Sequence, residues 1–262
     1  MNLHNKIIVI TGASSGIGLT LALDVAKKGG TPVLLARSTD KLQRASAEIL
    51  KVTGIAAPFY TLDVSDNEAV LKTFAHILEK HTRVDVLVNN AGYAIFDTFI
   101  EAKLEDIEGM FDVNVFGLMA CTKAVLPTML KGNKGHIINI ASQAGKLATP
   151  KSSVYSATKH AVLAITNSLR MELMDTNIFV SAVNPGPIKT PFFDRADVTG
   201  NYTKNVEKLM LEPAFVSEKI LQLIDKPKRE INLPGWMGIG TTFYQLFPAL
   251  VEKIAGKRLN QK

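Results

Sequence analysis

The chain has 262 residues, of which 47% are hydrophobic and 21% are charged, a composition typical of a globular protein with a large buried core. Its single cysteine, Cys121, excludes an intrachain disulfide framework and a cysteine-built metal site, so we predict no bound metal. The net charge of +6 is spread along the chain without a basic stripe among aromatic residues, so we predict an anionic small ligand and no nucleic-acid partner.

The N-terminus does not resemble a signal peptide. Residues 1–6 are polar, and the apolar run that follows has only the length of one strand. We therefore expect a cytoplasmic location.

Short β-branched runs alternate with segments of helical length along the chain. The predicted strands are residues 6–11, 32–36, 56–62, 84–89, 136–140, 178–183 and 230–233. The predicted helices are residues 16–28, 39–52, 66–81, 153–174 and 216–224, with a long helical region between the fourth and fifth strands. Several strands are apolar throughout, as expected when both faces of a sheet are covered. The pattern predicts a doubly wound parallel α/β sheet with helices on both faces, in one domain over 1–262.

A loop rich in glycine and serine joins the first strand to the first helix. Glycines permit a tight turn, and a helix N-terminus offers N–H groups and partial positive charge to a pyrophosphate. This placement predicts a Rossmann-type dinucleotide site, although the spacing is wider than G-x-G-x-x-G and an ordinary Gly/Ser turn is the alternative. The residues predicted to contact the cofactor are Gly12, Ser14, Ser15, Gly16, Ile17 and Gly18.

The second strand is followed by Arg37 and Ser38, about twenty residues after the glycines. An acidic side chain at this point would bond the ribose 2′-hydroxyl of NAD, whereas an arginine accommodates the 2′-phosphate of NADP. The guanidinium of Arg37 can hold a phosphate bidentately, and Ser38 can add a hydroxyl donor. We predict NADP(H) as the preferred cofactor, with NAD(H) as the alternative if Arg37 is a solvated residue at a strand end.

Tyr155 and Lys159 lie four residues apart in a predicted helix, so their side chains share one face. A free tyrosine has a pKa near ~10 and is a poor base at neutral pH. We expect the ammonium to lower the pKa of Tyr155 by about a unit or more, since two unit charges ~4 Å apart interact by roughly 4 kcal/mol at a dielectric constant of ~20. The pair could then exchange a proton with an alcohol or a carbonyl. Taken alone, it could also be a packed tyrosine beside a solvated lysine.

Together these features closely resemble the classical short-chain dehydrogenase/reductase family, from Lys6 to about Leu233. The resemblance rests on the joint order and spacing of several motifs, each of which is weak alone. They are the loop from Thr11 to Gly18, Asp63-Val64, Asn89-Asn90-Ala91-Gly92, Asn114, Ser142, Tyr155 with Lys159, and Pro185-Gly186.

The resemblance implies a role for each motif. Tyr155 would give or take the proton at the substrate oxygen, Lys159 would lower the tyrosine pKa and bond the nicotinamide ribose, and Ser142 would orient the substrate oxygen. Asn114 would hold a water chain behind Lys159, and Thr190 would bond the carboxamide. The other residues implied to contact the cofactor are Asp63, Val64, Asn90, Ala91, Gly92, Pro185, Gly186 and Ile188. A homodimer or homotetramer is also implied.

Some of these residues have plainer interpretations, and two positions depart from the family pattern. Ser142 could be a turn hydroxyl, Asn114 a polar residue that bends a helix, and Thr190 a helix cap. Many family members carry two serines where this chain has Ala141, Ser142 and Gln143. Ser15 occupies a position that is basic in some members that prefer NADP, which leaves Arg37 as the main support for NADP(H).

The segment 187–213 follows the sixth strand, where family members build a substrate lid. It contains Phe192, Phe193, Tyr202, Leu209 and Met210, which could close over an apolar substrate or could pack beneath a loop. No cationic group obviously marks a substrate carboxylate. We predict an apolar ketone, aldehyde or secondary alcohol as substrate, in a pocket completed by Tyr93, Phe96 and Leu147.

The C-terminal extension, 234–262, is apolar at first and basic later. Residues 231–251 contain no charged side chain, but the prolines and glycines among them argue against a continuous transmembrane helix. Phe243, Phe247, Leu250 and Ile254 recur at helical intervals, and the cations Lys253, Lys257, Arg258 and Lys262 lie close by. The segment could pack on its own domain, on another subunit or on an anionic membrane surface.

These features are consistent with two main classes of function, and a third class shares one of the motifs. The first is an NADP(H)-dependent oxidoreductase acting on a carbonyl or alcohol carbon. The second is a dinucleotide-binding sensor or scaffold without chemistry, which has no need for Ser142, Tyr155, Lys159 and Asn114 together. Epimerase or dehydratase chemistry on a nucleotide sugar also uses a Tyr-x-x-x-Lys pair, usually with a longer C-terminal substrate domain than this chain has.

Overall fold

A computed structural model describes residues 2–259, with side chains to Ile254, and these residues form a seven-stranded sheet. The strands are β1 Ile7–Thr11, β2 Thr31–Ala36, β3 Phe59–Thr61, β4 Val86–Asn89, β5 Gly135–Ile140, β6 Ile178–Pro185 and β7 Glu230–Leu233. They lie in the order β3-β2-β1-β4-β5-β6-β7, and every neighbouring pair is parallel. The predicted single-domain, doubly wound α/β fold is confirmed.

The helices follow the strands in alternation along most of the chain. They are α1 Gly16–Lys27, α2 Thr39–Thr53, α3 Asn67–His81, α4 Leu104–Phe111, α5 Leu118–Gly132, α6 Ser153–Glu172, α7 Phe192–Ala196, α8 Asn201–Val206, α9 Pro213–Asp225, α10 Gly235–Leu246 and α11 Pro248–Leu259. Helix α9 begins three residues earlier than predicted, because Pro213 is well suited to the first turn of a helix.

Two hydrophobic cores lie on opposite faces of the sheet. One lies beneath α1, α2 and α9, and the other lies beneath α3, α5 and α6. Successive side chains of β1 point to opposite faces of the sheet. Ile10 belongs to the first core and Val9 to the second, and both are fully buried. Because both faces are covered, the central strands carry apolar side chains on both sides, and each such buried side chain contributes roughly 1.5–3 kcal/mol.

Strand β3 is shorter than predicted, running from Phe59 to Thr61 instead of from 56 to 62. Pro58 has no N–H to donate to the sheet, although its carbonyl accepts a hydrogen bond from the Leu34 N–H at 2.9 Å. The paired strand therefore begins directly after the proline.

The long helical region before β5 is not one regular helix. Asp112–Gly117 forms a π-helical segment between α4 and α5. Leu104–Gly132 is long and apolar enough to cross a membrane by length and composition alone, but 44% of its most apolar window is buried inside the protein. Core helices pass the same test, so this is weak support for a membrane span.

Candidate active site

A cleft of about 1000 Å³ opens at the carboxyl ends of the strands. It lies where β1 is flanked by β2 on one side and β4 on the other, so successive crossovers run in opposite directions from this point. Ligands of open parallel sheets bind at such a switch point, because the diverging loops leave a crevice there. The sheet topology therefore places the glycine loop and the later motifs around one cavity.

The loop between β1 and α1 brings bare backbone to the edge of the cleft. Gly12 has a φ of +66°, and an added Cβ there would come within 2.9 Å of Asn90 Nδ2 and 3.0 Å of the Ala91 backbone. Gly16 begins α1 and lies against Thr190, whose Cγ2 would be 3.1 Å from an added Cβ. The first N–H groups of α1 have no partner within the helix, so they can bind an anion.

Gly18 differs from the other loop residues, since it packs behind the loop and does not line the cleft. An added Cβ would collide with the Gly12 carbonyl oxygen and would lie 2.8 Å from Asn90 Nδ2. Only glycine lets α1 approach the end of β1 so closely, so the contacts show a packing role for Gly18, and its predicted cofactor contact stays a prediction.

Thr11 positions this loop and was not predicted as a site residue. Its Oγ1 accepts hydrogen bonds from the N–H groups of Asn90 at 3.0 Å and Ala91 at 2.9 Å. The amide of Asn90 returns a bond of 2.9 Å from Nδ2 to the Thr11 carbonyl. The sequence signal was a hydroxyl at the last position of a buried strand, where the chain must turn away from the sheet.

The nucleotide end of the cleft is basic. Arg37 is exposed and lines the cleft beside Lys41, a second cation that the sequence analysis missed. The hydroxyl of Ser38 caps α2 by accepting from the Lys41 N–H at 3.4 Å. Asp63 and Val64 also line the cleft, and Asp63 Oδ1 accepts from the Ser65 N–H at 3.0 Å, which fixes its carboxylate. This end can hold a phosphate and an adenosine.

Ser142, Tyr155 and Lys159 meet on the floor of the same cleft. The hydroxyl of Ser142 faces that of Tyr155. Ser142 Oγ accepts from the Ala144 N–H at 3.0 Å and donates to the Pro185 carbonyl at 3.5 Å. Lys159 is 6% exposed and donates from Nζ to the Ile140 carbonyl at 2.8 Å. Helix α6 places Tyr155 and Lys159 one turn apart on the face toward the cleft, as the four-residue spacing predicts.

Burial controls the protonation of this pair. It raises the pKa of the Tyr155 phenol well above its usual value, although the hydrogen bond with Ser142 acts in the opposite direction. It lowers the pKa of Lys159 to about 8. The predicted lowering of the Tyr155 pKa by Lys159 is therefore wrong, because loss of solvation disfavours the phenolate more than an ammonium 5.7 Å from the ring centroid favours it.

Asn114 lies in the π-helical segment and does not line the cleft. Its Oδ1 accepts from the Tyr93 N–H at 2.9 Å, and its Nδ2 donates to the Tyr93 carbonyl at 2.9 Å and to Thr158 Oγ1 at 3.1 Å. Both amide donors are thus engaged, and they tie the loop after β4 to α6. The predicted water relay behind Lys159 stays a prediction, while bracing of Tyr93 is what the contacts show.

The substrate side of the cleft is aromatic. Phe96 lies edge-on to Tyr155 at 6.1 Å between ring centroids, and Phe192 lies 5.8 Å from the same ring. The other predicted residues that line the cleft are Tyr93, Phe193, Leu147, Tyr202 and Leu209. Met210 packs against this cluster but does not line the cleft.

Segment 187–213 forms a loop whose two ends are joined and whose middle covers the cleft. The N–H of Leu211 donates to the Pro187 carbonyl at 2.8 Å, which closes the base of the loop. The N–H of Phe96 donates to the Ala196 carbonyl at 3.0 Å, which holds α7 to the loop after β4. These two bonds bring the aromatic residues of the segment over Tyr155.

Two further sets of cleft residues were missed. Arg195 lines the cleft from α7, with its guanidinium carbon 3.6 Å from the ring centroid of Tyr93. The first turns of α10 also reach the cleft, through Trp236, Met237, Gly240 and Thr241. Neither set belongs to a sequence motif. Arg195 and the α10 residues are far from the other cleft residues in the sequence, so their place in the cleft could not be predicted from residue spacing.

The remaining predicted cofactor residues all line the cleft: Ser14, Ser15, Gly16, Ile17, Asn90, Ala91, Gly92, Pro185, Gly186, Ile188 and Thr190. Within residues 2–259, no cluster of three or more His, Cys, Asp or Glu side chains is arranged to hold a metal ion.

The chain is similar to known proteins over most of its length. Residues 6–199 match the family described as short chain dehydrogenase. An uncharacterized oxidoreductase of Staphylococcus saprophyticus is 35% identical over 227 residues, which cover 87% of this chain and 94% of that protein. Dehydrogenase/reductase SDR family member 7B of Danio rerio is 33% identical over 277 aligned residues, which cover 100% of this chain and 88% of that protein.

Solved structures share the fold as well. A closed form of serine dehydrogenase complexed with NADP+ has a TM-score of 0.79 at 31% identity, covering 86% of this chain and 93% of that chain. A short chain dehydrogenase/reductase from Burkholderia phymatum in complex with NAD has a TM-score of 0.87 at 25% identity, covering 95% of this chain and 96% of that chain.

Proposed function

Because the chain belongs to the short-chain dehydrogenase/reductase family, we propose that it is an oxidoreductase that uses NADP(H) to interconvert an apolar carbonyl compound and its alcohol. The observation that carries this proposal is that Ser142, Tyr155 and Lys159 line the same cleft as the glycine loop. A proton donor, an oxygen-binding hydroxyl and a dinucleotide cradle are what carbonyl reduction requires.

The residues of the cleft fit a nicotinamide dinucleotide. Serine dehydrogenase binds NADP+ and the Burkholderia enzyme binds NAD, which supports a cofactor of this class. Any side chain at Gly12 would collide with Asn90 and Ala91, so the loop offers bare backbone, and the N-terminus of α1 can receive the pyrophosphate. When bound, the cofactor supplies or accepts the hydride.

The preference for NADP(H) is supported by charge at the end of β2. Arg37 and Lys41 both line the cleft there, and Arg37 occupies the position where an acidic residue would favour NAD. A guanidinium can bind a 2′-phosphate through two parallel hydrogen bonds, and Lys41 adds a second positive charge.

The polar residues divide the proton chemistry among them. Ser142 holds the substrate oxygen, because its hydroxyl already faces the Tyr155 hydroxyl. Burial keeps Tyr155 protonated at neutral pH, so it is ready to donate a proton to an oxygen that gains negative charge. Lys159, with a pKa of about 8, stabilises the phenolate that remains.

The substrate is an apolar ketone, aldehyde or secondary alcohol. Support comes from the aromatic side chains around Tyr155, above all Phe96 and Phe192, which offer no partner to a strongly polar group. We further propose that 187–213 acts as a lid, since its two short helices cover the cleft and its base is closed by the bond from the Leu211 N–H to the Pro187 carbonyl.

A cytoplasmic location and a homodimeric or homotetrameric assembly complete the proposal. Both rest on the sequence alone. Size-exclusion chromatography with light scattering measures the assembly directly.

The sensor alternative predicts dinucleotide binding without turnover. The deciding experiment is a panel of aldehydes, ketones, quinones and steroids assayed by NADPH and NADH oxidation. We expect turnover of apolar carbonyl compounds with NADPH, and a loss of about 10²–10⁴-fold in kcat for Tyr155→Phe, since general acid catalysis contributes about that factor.

Binding of NADPH should be retained in Tyr155→Phe. If the Phe variant matched the wild type, Tyr155 would not be the proton donor. If NADPH bound but no member of the panel turned over, the sensor function would be favoured. If only highly polar, charged compounds reacted, the proposed substrate class would be wrong.

A further inference from the structure

The C-terminal helices α10 and α11 expose an apolar surface. It consists of seven large side chains whose exposed fractions lie between 47% and 76%: Trp236, Ile239, Phe243, Leu246, Phe247, Leu250 and Ile254. In the following paragraphs this set is called the C-terminal apolar surface. Isolated exposed apolar residues are common, but a contiguous group of this size on a folded protein marks a contact surface.

Helix α10 has two faces with different environments. Positions 236, 239, 243 and 246 follow the spacing of one helix face, and their side chains are exposed. The opposite side docks on the domain, where Met237 packs over Gly186 and Gly238 packs over Asn232. The helix is therefore held in place by the domain, while its outer face stays uncovered.

The two helices present one continuous surface. The rings of Phe243 and Phe247 lie 5.3 Å apart between centroids, which joins the exposed face of α10 to the start of α11. Leu250 and Ile254 then extend the surface by one turn of α11. Pro248 begins α11 and separates the two helices.

Cations outnumber acids in the segment that carries this surface. Residues 234–262 contain four cations, Lys253, Lys257, Arg258 and Lys262, and one acid, Glu252. Glu252 accepts a hydrogen bond of 3.0 Å from the Tyr244 hydroxyl. The side chains of Lys257, Arg258 and Lys262 lie outside the described residues, but they follow the apolar segment directly in the sequence.

We infer that the C-terminal apolar surface binds an anionic lipid bilayer. An apolar face on a segment rich in cations inserts into the headgroup region, where the cations meet anionic lipids. In a dimer formed through the same face about a two-fold axis, each copy would bring the same cations toward its partner. Trp236 and Tyr244 also suit the boundary between acyl chains and water, since both side chains are amphipathic.

The surface is continuous with the mouth of the cleft. Trp236 is 59% exposed and lines the cleft from α10, and Leu209 is 49% exposed and lines it from segment 187–213. Both ends of the mouth are therefore apolar and accessible. Building on the proposed function, a bilayer-dissolved carbonyl compound enters the cleft between these residues without crossing water.

Vesicle flotation with the full chain tests the inference without any turnover. Wild-type protein is mixed with phosphatidylcholine vesicles, with or without phosphatidylserine. We expect flotation with the phosphatidylserine vesicles and weaker flotation at 1 M salt, where electrostatic attraction is screened within about 3 Å. The double variant Ile239→Glu/Leu246→Glu should lose about tenfold or more of the bound fraction, since each change replaces an apolar side chain that would insert into the bilayer by a charged one.

Ile55→Glu is the matched control. Ile55 is 69% exposed in the loop before β3, at the end of the strands opposite to the cleft. It should float like the wild type, and all three proteins should show the same thermal unfolding and the same NADPH binding. Ile239 and Leu246 do not line the cleft, so turnover of a short, water-soluble ketone should also be unchanged.

Three outcomes would overturn the inference. The first is a wild type that floats with neither vesicle, and the second is a double variant that floats as well as the wild type. The third outcome is a wild-type oligomer that ignores vesicles and dissociates in the double variant, which would make this face a contact between two copies of the chain. A failure of the proposed oxidoreductase function would leave flotation unaffected, so the two ideas are tested separately.

Discussion

At the proposed nucleotide end of the cleft, the surface is made of backbone and fixed polar groups, whereas at the proposed substrate end it is made of aromatic side chains on segment 187–213. Gly12 and Thr11 are held by hydrogen bonds and close contacts to the residues after β4. Phe192 and Arg195, in contrast, lie on a five-residue helix whose backbone link to the loop after β4 is the Phe96–Ala196 bond.

The difference follows from what each end must recognise. A pyrophosphate carries charge in a fixed arrangement, so rigid N–H groups at the start of α1 bind it best. An apolar substrate offers shape and area, which side chains that repack can match. The proposed catalytic residues lie between the two ends, with Ser142 two residues after β5 and Tyr155 and Lys159 on α6. Variants that affect one end alone therefore test whether the two ends act independently.

The largest effect is expected at the junction of the two ends, for Lys159→Met. Turnover should fall by about 10²–10⁴-fold, because the phenolate of Tyr155 loses its neighbouring charge.

The free energy of unfolding of Lys159→Met should not fall in the same way. Burial lowers the pKa of Lys159 from 10.5 to about 8, a penalty on the order of 3 kcal/mol that the folded wild type carries below pH 8. Methionine removes this penalty but leaves the Ile140 carbonyl without its donor, at a cost of about 1–3 kcal/mol.

The expected pH dependence has a definite sign. The folded state binds fewer protons at Lys159 than the unfolded state between pH 8 and 10.5, so this group makes the wild type more stable as pH rises through that window. Lys159→Met should thus equal or exceed wild-type stability at pH 7 and fall below it near pH 10. Urea unfolding at both pH values measures this. Lys123→Met, which removes an exposed lysine of α5, should show no such reversal.

A smaller effect is expected at the nucleotide end, for Arg37→Asp. The ratio of kcat/KM for NADPH to that for NADH should fall by about 10–100-fold, since a charge-assisted phosphate contact is replaced by a carboxylate that repels the phosphate and can bond a ribose hydroxyl. Substrate preference should not change. Arg44→Asp makes the same charge change on α2 at a residue that does not line the cleft. An equal shift in both variants would mean that net charge, and not Arg37, sets the preference.

The same contrast explains what could be predicted from the sequence. The glycine loop, Arg37 and Asp63 each follow a strand directly, so the alternation of strands and helices was enough to bring them to one edge of the sheet. The placement of Tyr155 and Lys159 on one helix face could be predicted from the helical repeat alone. The fold class and the cofactor class therefore followed from local patterns.

The residues at the substrate end could be identified only from the tertiary structure. Arg195 and Trp236 are far apart in sequence, and each reaches the cleft because a loop or a docked helix folds back over it. The raised pKa of Tyr155 was missed for a related reason: four-residue spacing reports proximity to Lys159, but it does not report burial, which has the larger effect. Desolvation depends on all the neighbours of a group, and these come from many segments.

The smallest effect is expected at the substrate end, for Arg195→Met. Methionine keeps an unbranched stem against Tyr93 but removes the guanidinium, whose contact with the ring is worth about 0.5–2 kcal/mol. Because this contact helps to hold segment 187–213 over the cleft, KM for apolar carbonyl compounds should rise by about 2–10-fold, with kcat and the NADPH/NADH ratio unchanged. Lys204→Met removes a charge from the same segment at an exposed residue that does not line the cleft, so it should leave KM as in the wild type. If Arg195→Met changed the cofactor ratio as much as the substrate KM, the two ends would be coupled through Tyr93, and the cleft would act as one unit.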